Sequence, residues 1–359
     1  MDPTLSSPHR GGRRVRGLIR RWLVPPFIAC CAIAAAAAPA AVPNRLASTH
    51  DGDLAIVRGI LMQQESEIDL ATAKLTIDRL MEPGIDVPST LRQLDAMAAS
   101  LKTAIPAGAS LQLRLEALRQ HLYTANAWNG YRPYHYDLDD PLGRNLRNKL
   151  LPVYLTTRAG NCISMPVLFV VLGQKLGLDL AIAISPNHVF VKYRDERGAL
   201  FNLETTSGAG FTRDVWMRQQ FPMTDKAIAS GLYMRPLSKK EAVVVMVGTL
   251  LEFYERQGLR ELQLNMARMA LDHNPRDVAV ILHQHAAWLW FRNQLVSRYP
   301  TSDDMPDGER VLLVQHELAL RRLYERAWAL GWRPPDDAQD EAVRRRAAAA
   351  KANQQEKTK

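Results

Sequence analysis

The chain has 359 residues, 47% of them hydrophobic, and a formal net charge of +9. The positive charge lies at the two ends: residues 1–41 carry six Arg against Asp2, and residues 341–359 carry six basic residues against Glu341 and Glu356. The body between them is close to neutral, so the basic balance gives no support to nucleic-acid binding.

Arg13, Arg14, Arg16, Arg20 and Arg21 form a basic start, followed by an apolar, alanine-rich stretch from Leu23 to Val42. Pro25, Pro26 and Pro39 interrupt that stretch, and Ala38, Ala40 and Ala41 offer a small-residue cleavage site. The pattern predicts a secretory signal over residues 1–42, with retention as a membrane anchor as the alternative. Export to the periplasm or cell envelope is the expected location, at the inner membrane if the segment is kept. Cys30 and Cys31 fall inside this segment, which leaves Cys162 as the single thiol of the mature chain. No internal disulfide is then possible, and an unpaired thiol in an oxidising compartment is either buried or used.

Residues 43–125 read as a helical segment. Ile68, Ala71 and Leu75 keep helical spacing until Pro83-Gly84. Leu91, Leu94, Ala98 and Leu101 make a second stripe, and Leu111, Leu115, Leu118 and Leu122 a third. These are packing faces without assigned chemistry. Residues 126–150 are aromatic and polar together, with Trp128, Tyr131, Tyr134 and Tyr136 ahead of the turn cluster Asp139-Asp140-Pro141. Such a segment either lines a cleft or caps the core.

The segment from Leu150 to Thr206 carries helix and strands. A helix is predicted from about Cys162 to Gly177, with Pro166 tolerated in its first turn. Leu180–Ile184 reads as a buried strand, and Pro186-Asn187 turns the chain back. His188–Tyr193 and Leu200–Thr206 alternate as two further strands around a turn at Asp195–Gly198. Helix followed by antiparallel strands is an α+β pattern.

Residues 236–335 return to helix. Val243, Val247, Leu250 and Tyr254 form one stripe, and Leu259, Leu262, Met266 and Met269 its partner. Tyr254, Ala270 and Pro275 fall where a tetratricopeptide unit places them, although Leu251 and Gln263 replace small residues. A generic helical-hairpin bundle fits equally. Two longer helices follow, and residues 336–359 read as a basic, disordered tail.

Cys162, His188 and Glu204 stand out chemically. A thiol at a helix start gains from backbone N–H groups and from a nearby imidazolium, both of which favour the thiolate. His188 would hold that charge and protonate a leaving group, and Glu204 would fix the ring. Asn161 is a candidate oxyanion donor beside the Cys162 N–H. Asn202 shares a strand face with Glu204 and is the fallback orienter. No cofactor and no metal is expected, since His283 and His285 are two apart on a helix and no His-Glu-x-x-His or paired-Cys arrangement exists.

Gly160-Asn161-Cys162, Pro186-Asn187-His188 and Asn202-Leu203-Glu204-Thr205-Thr206 resemble the transglutaminase-like core, from Tyr136 to about Gly210, most closely in its bacterial branch. The resemblance implies a papain-like α+β core over residues 126–235, a helical segment before it and tetratricopeptide-like helices after it. It also implies a Cys-His-Asp triad, carried here onto Cys162, His188 and Glu204, with Glu standing where Asp is usual. The implied chemistry is peptide hydrolysis, deamidation or acyl transfer on a protein or peptide. The expectation is therefore an exported cysteine hydrolase or acyltransferase whose C-terminal helices recruit a protein. The alternative is a non-catalytic binding scaffold on a degenerate core. No nucleic-acid partner is expected, and a membrane partner only if the N-terminal segment is uncleaved.

Overall fold

The computed structural model describes residues 50 and 52–335 and, within 340–352, all but 342, 346 and 350. The expected signal over residues 1–42 lies outside the described residues. Among the described residues no helix is long and apolar enough to cross a membrane.

The N-terminal helices begin at short polar caps. α1 spans Asp53–Leu61. Asp69, Asp86 and Ser110 each accept a backbone N–H at the heads of α2 (Leu70–Met81), α3 (Val87–Ala104) and α4 (Leu111–Tyr123). The three expected apolar stripes face inward: Leu75, Leu94, Leu101, Leu115, Leu118 and Leu122 are all buried. A two-residue strand, β1 (His135–Tyr136), then pairs in parallel with β2 (Ala159–Gly160), on either side of the short helix α5 (Leu151–Thr157). Pairs this short leave no periodic trace in a sequence.

α6 (Ser164–Lys175) is buried continuously from Ser164 to Gly173. A helix apolar on all sides must be enclosed, and α6 lies between α2–α5 and the sheet. That sheet is an antiparallel meander of β3 (Asp179–Ser185), β4 (His188–Arg194), β5 (Leu200–Glu204) and β6 (Gly210–Thr212). The first three strands follow the sequence expectation within a residue or two. β6 is three residues long and was not expected. The β3 edge is covered by the chain at 232–237, where the Met234 and Leu237 N–H groups donate to the Ile184 and Ile182 carbonyls at 3.0 and 2.8 Å.

Two short helices, α7 (Asp214–Gln220) and α8 (Asp225–Ala229), lead into the C-terminal helices α9 (Lys239–Gln257), α10 (Arg260–His273), α11 (Val278–Val296) and α12 (Asp307–Ala329). Ser238 and Glu241 form a reciprocal capping box at the head of α9. α9 packs on both α2 and β3, and each later helix packs on the one before it. Over the described residues of 340–352 the chain is helical, which corrects the expected disordered tail there. The composition is rich in Ala, and Glu341 pairs with Arg345 one turn on at 3.7 Å.

The end of α12 returns to the core at a close backbone contact. Gly331 has φ +93, and a Cβ there would sit 2.4 Å from the Ala227 nitrogen. Thr224 and Ser230 hydroxyls donate to the Gly331 and Leu330 carbonyls at 2.8 and 2.7 Å. Only a glycine fits such an approach with that backbone. Gly331→Ala should therefore lose about 1–3 kcal/mol of stability. Gly248→Ala is the contrasting change, because Gly248 sits inside α9 with nothing within 4 Å of a Cβ. It should gain about 0.5–1 kcal/mol from helix propensity. Urea unfolding midpoints compare the two, and midpoints moving together would contradict this account.

Candidate active site

His188 opens β4 directly after the Pro186-Asn187 turn, where Asn187 adopts φ +53. Antiparallel pairing of β4 with β5 places Lys192 opposite Asn202 and Val191 opposite Leu203. One further step along that register sets Glu204 opposite Phe190, so Glu204 is diagonal to His188 on the same sheet face. Diagonal neighbours are about 7–8 Å apart and are bridged only by long side chains. This spacing explains Glu where the resemblance leads one to expect Asp. Glu204 Oε2 lies 2.7 Å from His188 Nε2. Its other oxygen, Oε1, accepts from the Thr206 N–H at 3.0 Å and the Thr206 hydroxyl at 2.6 Å. The carboxylate is thus pinned at both ends.

Cys162 sits in the turn just before α6. Gly160 permits that turn to lie tight on the core: a Cβ there would meet the Tyr154 ring at 2.5 Å and the Ser164 hydroxyl at 2.6 Å. Asn161 caps the helix, with Oδ1 accepting from the Ile163 N–H at 3.0 Å and the Ser164 N–H at 3.4 Å. The Ser164 hydroxyl donates to the Asn148 carbonyl at 2.7 Å and anchors the turn from below. Cys162 is half-buried and free. Its sulfur lies near enough to the His188 ring and the Val189 backbone for both to favour the thiolate. With Nε2 on Glu204, Nδ1 is the ring nitrogen left for the sulfur.

Electrostatics at this cluster are a contest between burial and pairing. Burial pushes the Cys162 thiol up, but the His188 hydrogen bond and charge, the Lys149 charge and the Val189 backbone more than reverse it. The thiol titrates below its ordinary value. Burial likewise lowers His188, yet the Glu204 charge and the bonds to Cys162 and Glu204 push it up to about 10. Glu204 is held below the usual carboxylate range, its burial outweighed by His188 and Thr206. The pairing thus favours a thiolate beside an imidazolium over the neutral pair that burial alone would favour.

Two neighbours, Phe221 and Lys149, escaped the sequence reading, and a third, Tyr136, lies in the segment expected to line a cleft or cap the core. The Phe221 ring stacks on the His188 ring with centroids 4.2 Å apart and planes at 8°. It follows α7 and lies 33 positions beyond His188, with no local pattern to flag it. Lys149 acts on the sulfur by charge and pairs with Glu252 of α9 at 2.5 Å. Tyr136 lies close enough for the Cys162 and Glu204 charges to raise its phenol further above a value already raised by burial. The 126–150 segment therefore divides: Tyr134 packs edge-on to Tyr154 in the core, Tyr136 borders the thiol, and Trp128 and Tyr131 are exposed.

Other sequence candidates lie elsewhere. Asn202 shares the sheet face of His188 but lies two residues back from Glu204 along β5, opposite Lys192, giving its amide to the Thr212 carbonyl at 3.2 Å and Asp214 at 2.7 Å. Asn161 Nδ2 is buried without a partner, next to Gly143. His283 pairs with Glu255 at 3.1 Å, and no group of three or more metal-ligating side chains occurs among the described residues.

The sequence profile of the transglutaminase-like superfamily matches residues 88–246. Those residues form a transglutaminase-like domain. It runs from α3 through the sheet and into α9, and so includes Cys162, His188 and Glu204. No curated protein and no solved structure matches the chain.

The geometry of this domain fixes a pH test. Iodoacetamide should label Cys162 well below the ordinary thiol range of about 8.5. In His188→Ala burial acts unopposed by the ring, so labelling should begin at or above that range. Peptide mass spectrometry at Cys162 across pH gives the two onsets, and coincident onsets would remove the thiolate–imidazolium pair.

Proposed function

We propose that the protein is a cysteine-dependent hydrolase or acyltransferase acting on amide bonds of a protein or peptide. The observation that carries this reading is an imidazole held 2.7 Å from a doubly anchored carboxylate, with the single thiol at a helix start close enough for that ring to lower it. A buried structural cysteine needs neither the ring nor the carboxylate.

The residues divide the chemistry as follows. The Cys162 thiolate attacks the amide carbonyl carbon and forms a C–S bond. The Cys162 N–H and the unpartnered Asn161 Nδ2 stabilise the oxyanion, and one such donor is worth about 10²–10³ in rate. His188, protonated on Nδ1, gives its proton to the leaving nitrogen as the C–N bond breaks. Water or an amine then attacks the thioester and returns a proton to Nδ1, and the C–S bond breaks. Glu204 holds the tautomer and stabilises the imidazolium throughout. Phe221 keeps the ring plane.

Export is part of the same proposal. A signal over residues 1–42, or an inner-membrane anchor made from it, would place the enzyme in the cell envelope, and cleavage of the signal would leave Cys162 as its only thiol. The helices α9–α12 would recruit or present the protein substrate.

Activity should follow a bell in pH. It rises as the thiol deprotonates below its ordinary value, and falls as pH climbs through about 10, where His188 loses the proton it must donate. The direct test is formation of an acyl-enzyme from an activated ester, followed by intact mass. Cys162→Ser should abolish the thioester adduct. Glu204→Gln should slow turnover by about 10²–10⁴, the range expected when the orienting carboxylate is lost. An adduct forming at the wild-type rate in both His188→Ala and Glu204→Gln favours the scaffold alternative instead.

A further inference from the structure

A cavity of about 300 Å³ lies against the two segments that lead to the imidazole and to the ring stacked on it. Two of its walls come from the direct neighbours of the triad. Pro186 and Asn187 form the turn that delivers His188, and Pro222, Met223 and Thr224 follow Phe221, whose ring lies on the imidazole. The third wall is Gly331–Pro335, the segment beyond α12. That wall is held by the glycine contact at Ala227 and by the Thr224 hydroxyl on the Gly331 carbonyl.

The lining is mixed, with Pro186, Pro222, Met223, Tyr233, Trp332 and Pro334 supplying its apolar part, a little over half. Its polar members are largely engaged. Thr224 is bonded to Gly331. Arg333 is stacked over Trp328 at 3.7 Å and donates to the Trp328 and Trp332 carbonyls. A volume near the small end of ligand sites suits one bulky apolar side chain.

Its position relative to the chemistry decides which part of a substrate it takes. A general acid must touch the nitrogen it protonates. Whatever is bonded to that nitrogen therefore lies on the imidazole side of the reacting carbon. The acyl portion lies on the other side, toward the helix start and Asn161. We infer that this cavity is the subsite for a bulky apolar substituent on the amine side of the reaction, carried by either the leaving amine or the attacking one. The C-terminal segment completes it, so the helical region contributes directly to specificity. The inference rests on the proposed Cys162 chemistry.

Partitioning of an acyl-enzyme isolates this step. p-Nitrophenyl acetate acylates Cys162: a C–S bond forms, the ester C–O bond breaks, and nitrophenol leaves with the imidazolium proton. An added amine then attacks the acetyl carbon, a C–N bond forms, the amine's proton passes to the imidazole and the C–S bond breaks. Glycinamide, leucinamide and phenylalaninamide compete with water for the same intermediate, each corrected for its rate with a simple acetyl thioester in solution. The full chain should prefer phenylalaninamide or leucinamide to glycinamide by at least about tenfold, as one well-filled apolar pocket allows. Met223→Trp, which fills the cavity, and Trp332→Ala, which removes a wall, should each bring that ratio to within about twofold of unity.

The ratio is internal to each variant, so it does not depend on how fast either is acylated. A wild-type ratio near one overturns the subsite, and so does a preference that survives both substitutions. Absence of any nitrophenol burst overturns the cysteine reading itself, which is a separate result from a burst without discrimination.

Discussion

The arrangement depends on one hydrogen bond between strands, from His188 Nε2 to Glu204 Oε2 at 2.7 Å. An imidazole can exchange a proton with the sulfur at Nδ1 only while Nε2 is committed elsewhere. The bond that commits it is diagonal across β4 and β5, a geometry set by register and not by local sequence. Burying a carboxylate costs several kcal/mol unless its charge and both oxygens find partners. Here one oxygen meets the ring and the other meets two donors of Thr206 in the turn that follows β5. Charge-assisted bonds of this kind contribute about 1.5–3 kcal/mol each. Together they offset the burial, and the net result is a carboxyl that stays ionised. A shorter side chain at residue 204 would have to give up the turn or the ring.

The sulfur is positioned by an equally rigid partner. α6 has no solvent-facing side over its first ten residues, and Leu168, Phe169 and Leu172 are fully buried. Full burial of such side chains is worth about 1.5–3 kcal/mol apiece. Sliding or tilting the helix to relax the thiol is therefore costlier than any gain from moving it. The cap at Asn161 and the anchor from Ser164 to Asn148 fix the turn that holds Cys162. Sulfur and ring are thus carried on two elements that cannot easily separate, and burial, which alone would favour the neutral pair, is overruled by proximity.

Much of this was legible in the sequence, for identifiable reasons. Cys162, His188 and Glu204 each sit at an element boundary, after Gly160-Asn161, after Pro186-Asn187 and before Thr205-Thr206, and boundaries are where turn residues give local signals. The three strands with alternating or continuous apolar runs were readable for the same reason, as were the long helical stripes. β1, β2 and β6 were not, because two or three residues show no period. Asn202 is the instructive case: it lies on the expected face, yet two pairs further along the ladder, and only the register separates an orienting side chain from one that bonds Asp214. Phe221, Lys149 and Tyr136 reach the site from separate segments through tertiary packing, which no spacing rule anticipates. In the helical stretch within 340–352, alanine content favours helix over the disorder that its charge alone suggests.

The C-terminal helices also bear on the ring through a short physical chain. Gly331 accepts from Thr224, Thr224 follows Phe221 by three residues, and Phe221 lies flat on the imidazole. A rigid connection of this kind transmits nothing by itself. A partner bound along α11 and α12 can alter the ring only if it prefers one of two arrangements of the 221–224 loop, by an amount equal to its differential affinity for them. The tight backbone approach of Gly331 to Ala227 disfavours a second arrangement, since separating it breaks the two hydroxyl bonds together. The helices therefore act first as a fixed support for that loop. Regulation through them requires a ligand strong enough to lift the end of α12 away from α8.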